Sequence, residues 1–519
     1  MCNPTLWSMG FFLRKTREYG SMYVMEIPKE IGAVLQKLAG AGHQCFVVGG
    51  CVRDLLLEKT PKDWDVATDA TPEQVQELFP DSFYENAFGT VGVKTASEEP
   101  SLAVVEVTTF RVEEAYSDKR HPDSIRFART LEEDLARRDF TMNAIALKIK
   151  NQKSKIKITT QNAKIEEGVE IIDPYGGQED LKKKLIRAVG EPEKRFAEDA
   201  LRMMRAVRLA AQLGFAIEQK TLDAIKKDAA SLKAISKERI RDELEKIIMA
   251  DNAEEGIRLL EEAGLLTHVF PELREGMGVQ QNLHHIYTVF EHNVRALAYA
   301  ARKKYSLDVR LASLLHDVGK PQTKRGEGRY ATFYGHDVVG ARIAAKALER
   351  LRFPKDVIEK VVLLVRHHLF YYNVGEVTAS SVRRLLRNVG PENIHDLVKV
   401  READRIGSGV PKAVPYKLRH FMYIVEKVSK DPISTSMLAI DGNDVMQILA
   451  IEPGPKVGLM LNALLGEVLE DPEKNTVERL AERTKEFGEK SAEELKYYLE
   501  VKEEKIQEEE DALKKKYYV

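Results

Sequence analysis

Residues Phe46–Asp69, FVVGGCVRDLLLEKTPKDWDVATD, decide how this chain is read. The apolar run Phe46, Val47, Val48 reads as a buried strand. Gly49-Gly50 then permits a tight turn and a close approach of backbone to ligand. Val52–Leu57 reads as a helix start with Arg53 near its N-terminal end. Backbone N–H groups at a helix start favour bound phosphate, and a guanidinium fork adds to them. Asp63-Trp64-Asp65-Val66 reads as a second strand. Side chains alternate along a strand, so Asp63 and Asp65 share a face. Two neighbouring carboxylates repel unless a cation lies between them. A lone Gly-Gly is usually just a turn, and a lone Asp-x-Asp is usually a solvated strand face. Together, in this order, they point to Mg²⁺-assisted nucleotidyl transfer. Two metals about 3.5–4 Å apart would clamp the attacking and leaving oxygens of an in-line displacement.

The rest of the chain sets bounds on that reading. Its 519 residues predict several domains. Being 43% hydrophobic and 31% charged, it has ample core and no bias toward disorder. A net charge of −2 neither demands nor excludes nucleic acid, because local basic patches matter more than the total. The three cysteines, Cys2, Cys45 and Cys51, form no CxxC pair, zinc spacing or disulfide framework. That fits a reducing cytoplasm. No apolar run approaches the ~20 residues that span a membrane, so no membrane partner is expected. Residues 1–25 are too interrupted for a secretory signal and read as an upstream extension, Met22 and Met25 being equally reasonable starts.

Taken in order, Ile27–Ala41 has helical apolar spacing, and Thr71–Phe79 opens with the helix-starting Thr-Pro-Glu. Phe88–Lys94 and Leu102–Phe110 read as strands. Glu106, on the second, either completes a carboxylate trio with Asp63 and Asp65 or faces solvent. Tyr116–Arg129 is a charged loop beside the site. In Leu131–Leu147, Asp139 and Asn143 are predicted to lie four apart on one helix face, where they could read a ribose 2′-hydroxyl. Lys148–Lys164 reads as a solvated hairpin, with a phosphate-backbone contact as the alternative. Asp173–Leu181, DPYGGQEDL, reads as a turn cluster and a hinge.

Glu191–Leu213 is predicted to be one helix. Leu201, Met204 and Val207 form its apolar stripe, and Glu198, Asp199, Arg202, Arg205 and Arg208 lie outside it. Most such acid–arginine pairs are surface salt bridges worth about 0.3–0.5 kcal/mol. A more specific use exists. A carboxylate accepts from an exocyclic amine, and a guanidinium donates to a ring nitrogen or carbonyl. Cytosine and adenine present an amine beside a ring acceptor, whereas uracil and guanine present a carbonyl beside a ring N–H. An Asp199–Arg202 pair would therefore accept C and A and reject U and G. Ile235–Ala250, with Glu238, Arg239, Arg241 and Glu243, reads as a capped helix whose polar face supports packing.

From there on the pattern is almost wholly helical, with breaks at Ile440–Asn443 and Glu452–Gly458. This part holds a second constellation: His285, His292, His316-Asp317, His336, the pair His367-His368, and Asp404. Neutral imidazoles and carboxylates bind divalent transition metals. In LASLLHDVGK, Leu311–Lys320, an apolar helix ends in His-Asp and stops at Gly319. The ligand set read from these residues is His292, His316, Asp317, His336, His367 and Asp404. The alternative is a set of structural histidines.

GGCVRDLLL, DWDVAT, the DKRHP loop, RRDFTMNAIA, DPYGGQEDL, EDALRMMRAVRLAAQLGF, SKERIRDELEKI, HDVGK and IEPGPKVG occur in that order between about Phe46 and Asn475. With them the chain resembles the bacterial tRNA nucleotidyltransferases, the CCA-adding enzymes, and their relatives the bacterial poly(A) polymerases. The resemblance implies an α+β protein. A nucleotidyltransferase palm of mixed β-sheet with helices (26–172) would be followed by a helical neck (173–275), an HD-containing body (276–410) and a helical tail (411–519). It implies Mg²⁺ on Asp63 and Asp65, with the triphosphate on Gly49, Gly50 and Arg53. Arg138, Asp139 and Asn143 match the ribose-reading motif, and Glu198, Asp199 and Arg202, with Arg205 beside them, match the base-reading motif. Asp118, Arg120 and His121 match the loop associated with the switch from C to A addition, which favours CCA over CC addition. The implied partners are tRNA, CTP and ATP. The alternatives are an A-adding enzyme, a poly(A) polymerase, or an HD phosphohydrolase with an RNA-binding head.

Overall fold

A computed structural model divides the chain into two compact units, Met1–Ile247 with Arg258–Val269, and Ile248–Ile257 with Phe270–Val519. The structure describes residues 22–86, 89–114, 124–149, 155–159, 162–165, 169–282, 286–370, 372, 378–409, 416–428 and 430–517.

The first unit is built on a seven-stranded mixed sheet. Its spatial order is Val169–Ile172, Ala146–Ile149, Cys45–Val48, Asp65–Thr68, Val104–Thr109, Thr90–Lys94, Ser82–Asn86. Asp65–Thr68 and Val104–Thr109 run parallel, while the other neighbours are antiparallel. Parallel neighbours need a crossover, and the helix Pro72–Leu78 with the Ser82–Lys94 hairpin supplies it. That helix starts at a full capping box between Thr71 and Gln74, as the Thr-Pro-Glu signal predicts. Along Val104–Thr109 the pleat buries Val105, Val107 and Thr109 and turns Glu106 and Thr108 to the other face. On that other face Phe46, Val48, Ala67 and Phe110 pack with Leu131, Leu135 and Val189 into a core, leaving one end of the face free of apolar cover. Gly92 sits opposite Glu106, and a Cβ there would fall 2.5 Å from the Phe83 ring, which would have to move aside.

Several elements differ from expectation for reasons visible in the hydrogen bonds. The strand predicted from Asp63 starts at Asp65, and the helix predicted from Val52 starts at Gly50. Leu131–Leu147 is not one helix. It is a helix over Leu131–Ala136, a 3-10 turn over Thr141–Asn143 and a strand from Ala146. Thr141 N–H donates to Arg187 O, and Val189 N–H donates to Asp139 O. Residues 139–141 are thereby drawn into pairing with 187–189 instead of closing helical turns. Glu191–Leu213 breaks into Pro192–Glu198 and Leu201–Leu213, because Asp199 is extended (φ −137°) and its carboxylate accepts the Leu201 N–H. The stretch expected as a hinge is tied down. Both Asp173 carboxylate oxygens accept N–H groups, from Gly177 and Gln178, opening the helix Gly177–Lys183. Within the lysine-rich stretch, Lys155–Thr159 and Asn162–Ile165 pair as the expected hairpin, and Met22–Glu26 adds a third strand.

The second unit is helical. Val289–Arg302 packs on Ile394–Gly407 and on Leu307–Leu315, and Lys355–His367 packs on His336–Arg350. Gly319 is the pivot of this group. A Cβ there would lie 2.3 Å from His336 O and 2.5 Å from Gly340 N, so only glycine lets the turn after His316-Asp317 meet the helix at His336. The tail helices Gly442–Leu449, Pro455–Glu470, Val477–Gly488 and Ala492–Tyr517 enclose a core of their own around Val445, Met460, Leu464, Leu480, Phe487 and Leu495. Among the described residues no helix is long and apolar enough to cross a membrane.

Candidate active site

The uncovered end of the sheet face opens into a cavity of about 740 Å³ in the first unit. Sheet register places its acids. Val48 pairs with Asp65, and Asp65 pairs with Glu106, so the three share one face. Asp63, just ahead of the strand, lines the same cavity. Glu106 lines the cavity beside the aspartates. Three carboxylates converging on one space form a hard oxygen set of the kind Mg²⁺ prefers.

Gly49 and Gly50 form the cavity's edge. Gly49 has φ +80°, and a Cβ there would come 2.9 Å from Arg138 Nη1 and 3.1 Å from Asp65 Oδ2. The bare turn therefore lets a cation and a carboxylate approach the backbone. Arg53 is oriented from both sides, donating to Asp54 Oδ1 through Nε and Nη2 and to Asn143 Oδ1 through Nη1 at 2.9 Å. Arg137 and Arg138 both bond Asp134, which is buried. Burial pushes the Asp134 carboxyl up, but the two guanidinium groups outweigh it and hold it below the usual carboxylate range.

Asp139 and Asn143 do come together, though through the 3-10 turn and not along a helix. Asn143 Nδ2 donates to Asp139 Oδ1 at 3.0 Å, and Arg205 Nε donates to Asp139 Oδ2 at 2.7 Å. Burial again pushes the carboxyl up, and Arg205, the Asn143 bond and Arg202 together hold Asp139 far below its ordinary value. The same attraction raises Arg205.

The expected Asp199–Arg202 pair lines the cavity, and the Arg202 N–H donates to Asp199 O, but among the described residues their side chains are bonded to other partners. Arg202 Nη1 donates to Glu198 Oε2 at 2.6 Å and to Arg195 O, and Nη2 donates to Arg137 O. Asp199 Oδ2 accepts from Arg239 Nη2 at 2.8 Å. Glu198 itself does not line the cavity; it acts on Arg202 from behind. Arg111, Arg137, Arg208 and Arg239 also line the cavity and were not read as site residues. Arg239 lies on the polar face that the sequence reads as supporting packing, and nothing in its local pattern separates the two roles. Asp118, Arg120 and His121 lie outside the described residues, as does His285.

A second cluster lies in the second unit. His292, His316, Asp317 and Asp404 bring ligand atoms within 4.8 Å of one another, as do Asp317, His336 and His368. All are buried. His316, His336 and His368 each turn Nδ1 to a backbone carbonyl, of Ser313, Phe333 and Val365. Carbonyls accept, so each ring carries a proton on Nδ1 and turns Nε2 inward; in His336 and His368 that nitrogen is bare, whereas Asp317 and Asp404 outweigh burial and push His316 up to about 10. His336 Nε2 then faces Asp317 Oδ1 at 3.2 Å, acceptor against acceptor, and has no hydrogen-bond partner among the described residues. Burial pushes His368 down to about 4, which keeps its ring neutral and able to ligate. A buried set of bare nitrogens and carboxylates fits a divalent transition metal. The set differs from expectation at one position: it takes His368, not His367. Consecutive residues of a helix point about 100° apart, so one of two adjacent histidines faces in. His367 closes Lys355–His367 half-buried, outside the set. Lys320, missed in sequence, places Nζ 2.6 Å from Asp317 Oδ2.

Three family models match: the poly A polymerase head domain over residues 45–187, a probable RNA and SrmB-binding site of polymerase A over 214–277, and the HD domain over 289–409. The chain is 37% identical over 374 residues to an A-adding tRNA nucleotidyltransferase of Deinococcus radiodurans, covering 68% of this chain and 80% of that one. It is 34% identical over 431 residues to a CC-adding tRNA nucleotidyltransferase of Thermus thermophilus, covering 81% and 88%. Among solved structures it is similar to the Bacillus stearothermophilus CCA-adding enzyme in complex with CTP, with a TM-score of 0.64 and 29% identity over 88% of this chain and 96% of that one.

Proposed function

The chain belongs to the tRNA nucleotidyltransferase family, and from that premise we propose that it adds C, C and A to tRNA 3′ ends from CTP and ATP without a nucleic-acid template. The observation that carries this reading is the single cavity lined by Asp63, Asp65, Glu106, Asp199 and Arg202. It sets phosphate chemistry and base-edge recognition side by side.

In this reading the tRNA 3′-oxygen attacks the α-phosphorus, a new P–O bond forms, and the bond to pyrophosphate breaks. Asp63, Asp65 and Glu106 would hold Mg²⁺, which when bound would supply Lewis-acid stabilisation of the attacking and leaving oxygens. Gly49, Gly50 and Arg53 cradle the triphosphate. Arg138, Asp139 and Asn143 orient the ribose, with Arg205 holding Asp139. Asp199 accepts the exocyclic amine of cytosine or adenine, and Arg202, held by Glu198, donates to the ring acceptor. One pair thus suits both CTP and ATP, which favours CCA addition over addition of one base type. The residues 26–172 act as palm, 173–275 as neck, 276–410 as HD body and 411–519 as tail.

The test is incorporation into three tRNA transcripts, ending before CCA, after the first C, and after CC. Each is offered CTP, ATP or both with Mg²⁺ and read at single-nucleotide resolution. Two Cs and then one A is the expected result. A added only to the CC-ended transcript would make this an A-adding enzyme, Cs alone a CC-adding enzyme, and a long A ladder a poly(A) polymerase.

A second reading attaches to the buried histidines, favoured by the bare Nε2 atoms of His336 and His368 that converge on Asp317. It is a metal-dependent phosphohydrolase acting on phosphoesters such as 2′,3′-cyclic nucleotides. Hydrolysis that needs a transition metal and survives Asp63→Ala would support it; no bound metal and no hydrolysis would make the histidines structural.

A further inference from the structure

For two opposite charges to read a base, they must first be kept from reading each other. Asp199 and Arg202 are three residues apart in the chain and line one cavity, yet each is bonded elsewhere. Arg202 is held by Glu198 and by the carbonyls of Arg195 and Arg137. Asp199 is held by Arg239, which comes from a different helix, Lys237–Ile248.

The hold is directional. Asp199 Oδ1 accepts the Leu201 N–H at 2.9 Å, and Oδ2 accepts Arg239 Nη2 at 2.8 Å. Two anchors, one on each oxygen, fix the plane of the carboxylate. Each oxygen has a second lone pair, so the group can still accept an amine, but only from a set direction. The same helix face makes a second grip four residues on, where Glu243 Oε1 accepts from Arg208 Nη1 at 3.0 Å. Arg208 also lines the cavity. Finally, Arg239 lines the cavity, and its Nη1 is buried with no hydrogen-bond partner among the described residues. A buried donor of this kind is costly unless something meets it.

We propose that Arg239 is a specificity-determining positioning residue. By holding Asp199 away from Arg202 with its acceptor edge toward the base, it makes the choice of C and A over U and G depend on a helix that does not itself carry the base-reading pair. The inference rests on the base-reading role given to Asp199 above.

The experiment measures kcat/KM for CTP and UTP on a transcript lacking CCA, and for ATP and GTP on a CC-ended one, with the full-length chain. The variants are Arg239→Gln, Arg239→Met, Arg239→Lys, Asp199→Ala and the double variant Asp199→Ala/Arg239→Gln. Arg241→Gln, on the same helix and paired with Asp242, is the control. Arg239→Gln should lower the CTP-over-UTP ratio roughly tenfold or more, as expected for losing a hydrogen bond to a charged group. Arg239→Lys should recover part of it, the double variant should be no worse than Asp199→Ala, and Arg241→Gln should keep the wild-type ratio. Melting curves identify any variant that fails to fold, and Arg239→Met then carries the test in place of Arg239→Gln. A ratio kept by Arg239→Gln or Arg239→Met but lost in Asp199→Ala would overturn this proposal alone. So would losses that multiply in the double variant, because a purely structural role is additive with Asp199. A ratio unchanged in Asp199→Ala would remove the base-reading role itself, and this inference with it.

Discussion

Asp65 and Glu106 are register partners on two parallel strands in the middle of the seven-stranded sheet. They lie 41 positions apart in the numbering, and the helix and hairpin between them return the chain so that both carboxylates reach the same cavity. Asp63→Ala and Asp65→Ala should each abolish nucleotide incorporation. Glu106→Gln, which keeps the shape and removes the charge, should lower kcat by roughly 10²-fold or more, on the scale of a lost metal ligand. Circular dichroism and melting should be near wild type in all three. Full activity in either aspartate variant would defeat the proposed chemistry.

Gly49 holds φ +80° with Arg138 and Asp65 against it. Gly49→Ala places a Cβ in a left-handed backbone, at a cost of about 1–2 kcal/mol. It also pushes the Arg138 guanidinium aside, since a long side chain yields before the sheet does. The expected result is a higher KM for nucleotide, with kcat/KM down roughly tenfold, and a small drop in melting temperature. Unchanged kinetics would mean that the turn does not touch the nucleotide.

The Asp139 carboxyl is held far below its ordinary value, against burial, chiefly by Arg205. A carboxyl with a depressed folded pKa contributes stability that is fully present above its unfolded value of about 3.9 and lost as pH falls below it. Arg205→Gln removes the largest opposing charge and leaves the Asn143 bond and Arg202 against burial, so the Asp139 pKa rises and its stabilising contribution at neutral pH shrinks. The gap in melting temperature between wild type and Arg205→Gln should therefore be widest at neutral pH and narrow on acidification, as pH falls through the variant's raised Asp139 pKa. Because Arg205 is 37% exposed, solvent screening limits the loss to about 1–2 kcal/mol. A gap that grows on acidification would contradict this assignment.

His368 belongs to the buried cluster and His367 does not. Elemental analysis should find a divalent transition metal in the purified protein. His368→Ala should reduce the metal content, and His367→Ala should leave it unchanged. Treatment with a chelator should lower the melting temperature of the second unit, because a ligand bound to the folded state stabilises it by mass action. Nucleotide incorporation restored with excess Mg²⁺ should survive that treatment. Metal content as high in His368→Ala as in His367→Ala would remove His368 from the ligand set.

The α+β division, the glycine turn, the carboxylates and the helical C-terminal half were all legible in the chain, because each depends on local residue types and periodicity. Phe46–Asp69 by itself determined a strand, a glycine turn and an aspartate pair, since alternation and backbone freedom act over a few residues. Three things waited for the fold. Glu106 had two readings until sheet register put it beside Asp65. Asp199 and Arg202 looked like a pair and are held apart, because the helix breaks at Asp199 and Arg239 arrives from another helix. His367 and His368 were indistinguishable as letters, and the packing of Lys355–His367 on its neighbours decided which one faces inward. Local sequence carries propensity and spacing. Which side chain meets which across tens of residues is set by register and by the rotation of packed helices, and these are fixed only when the whole core closes.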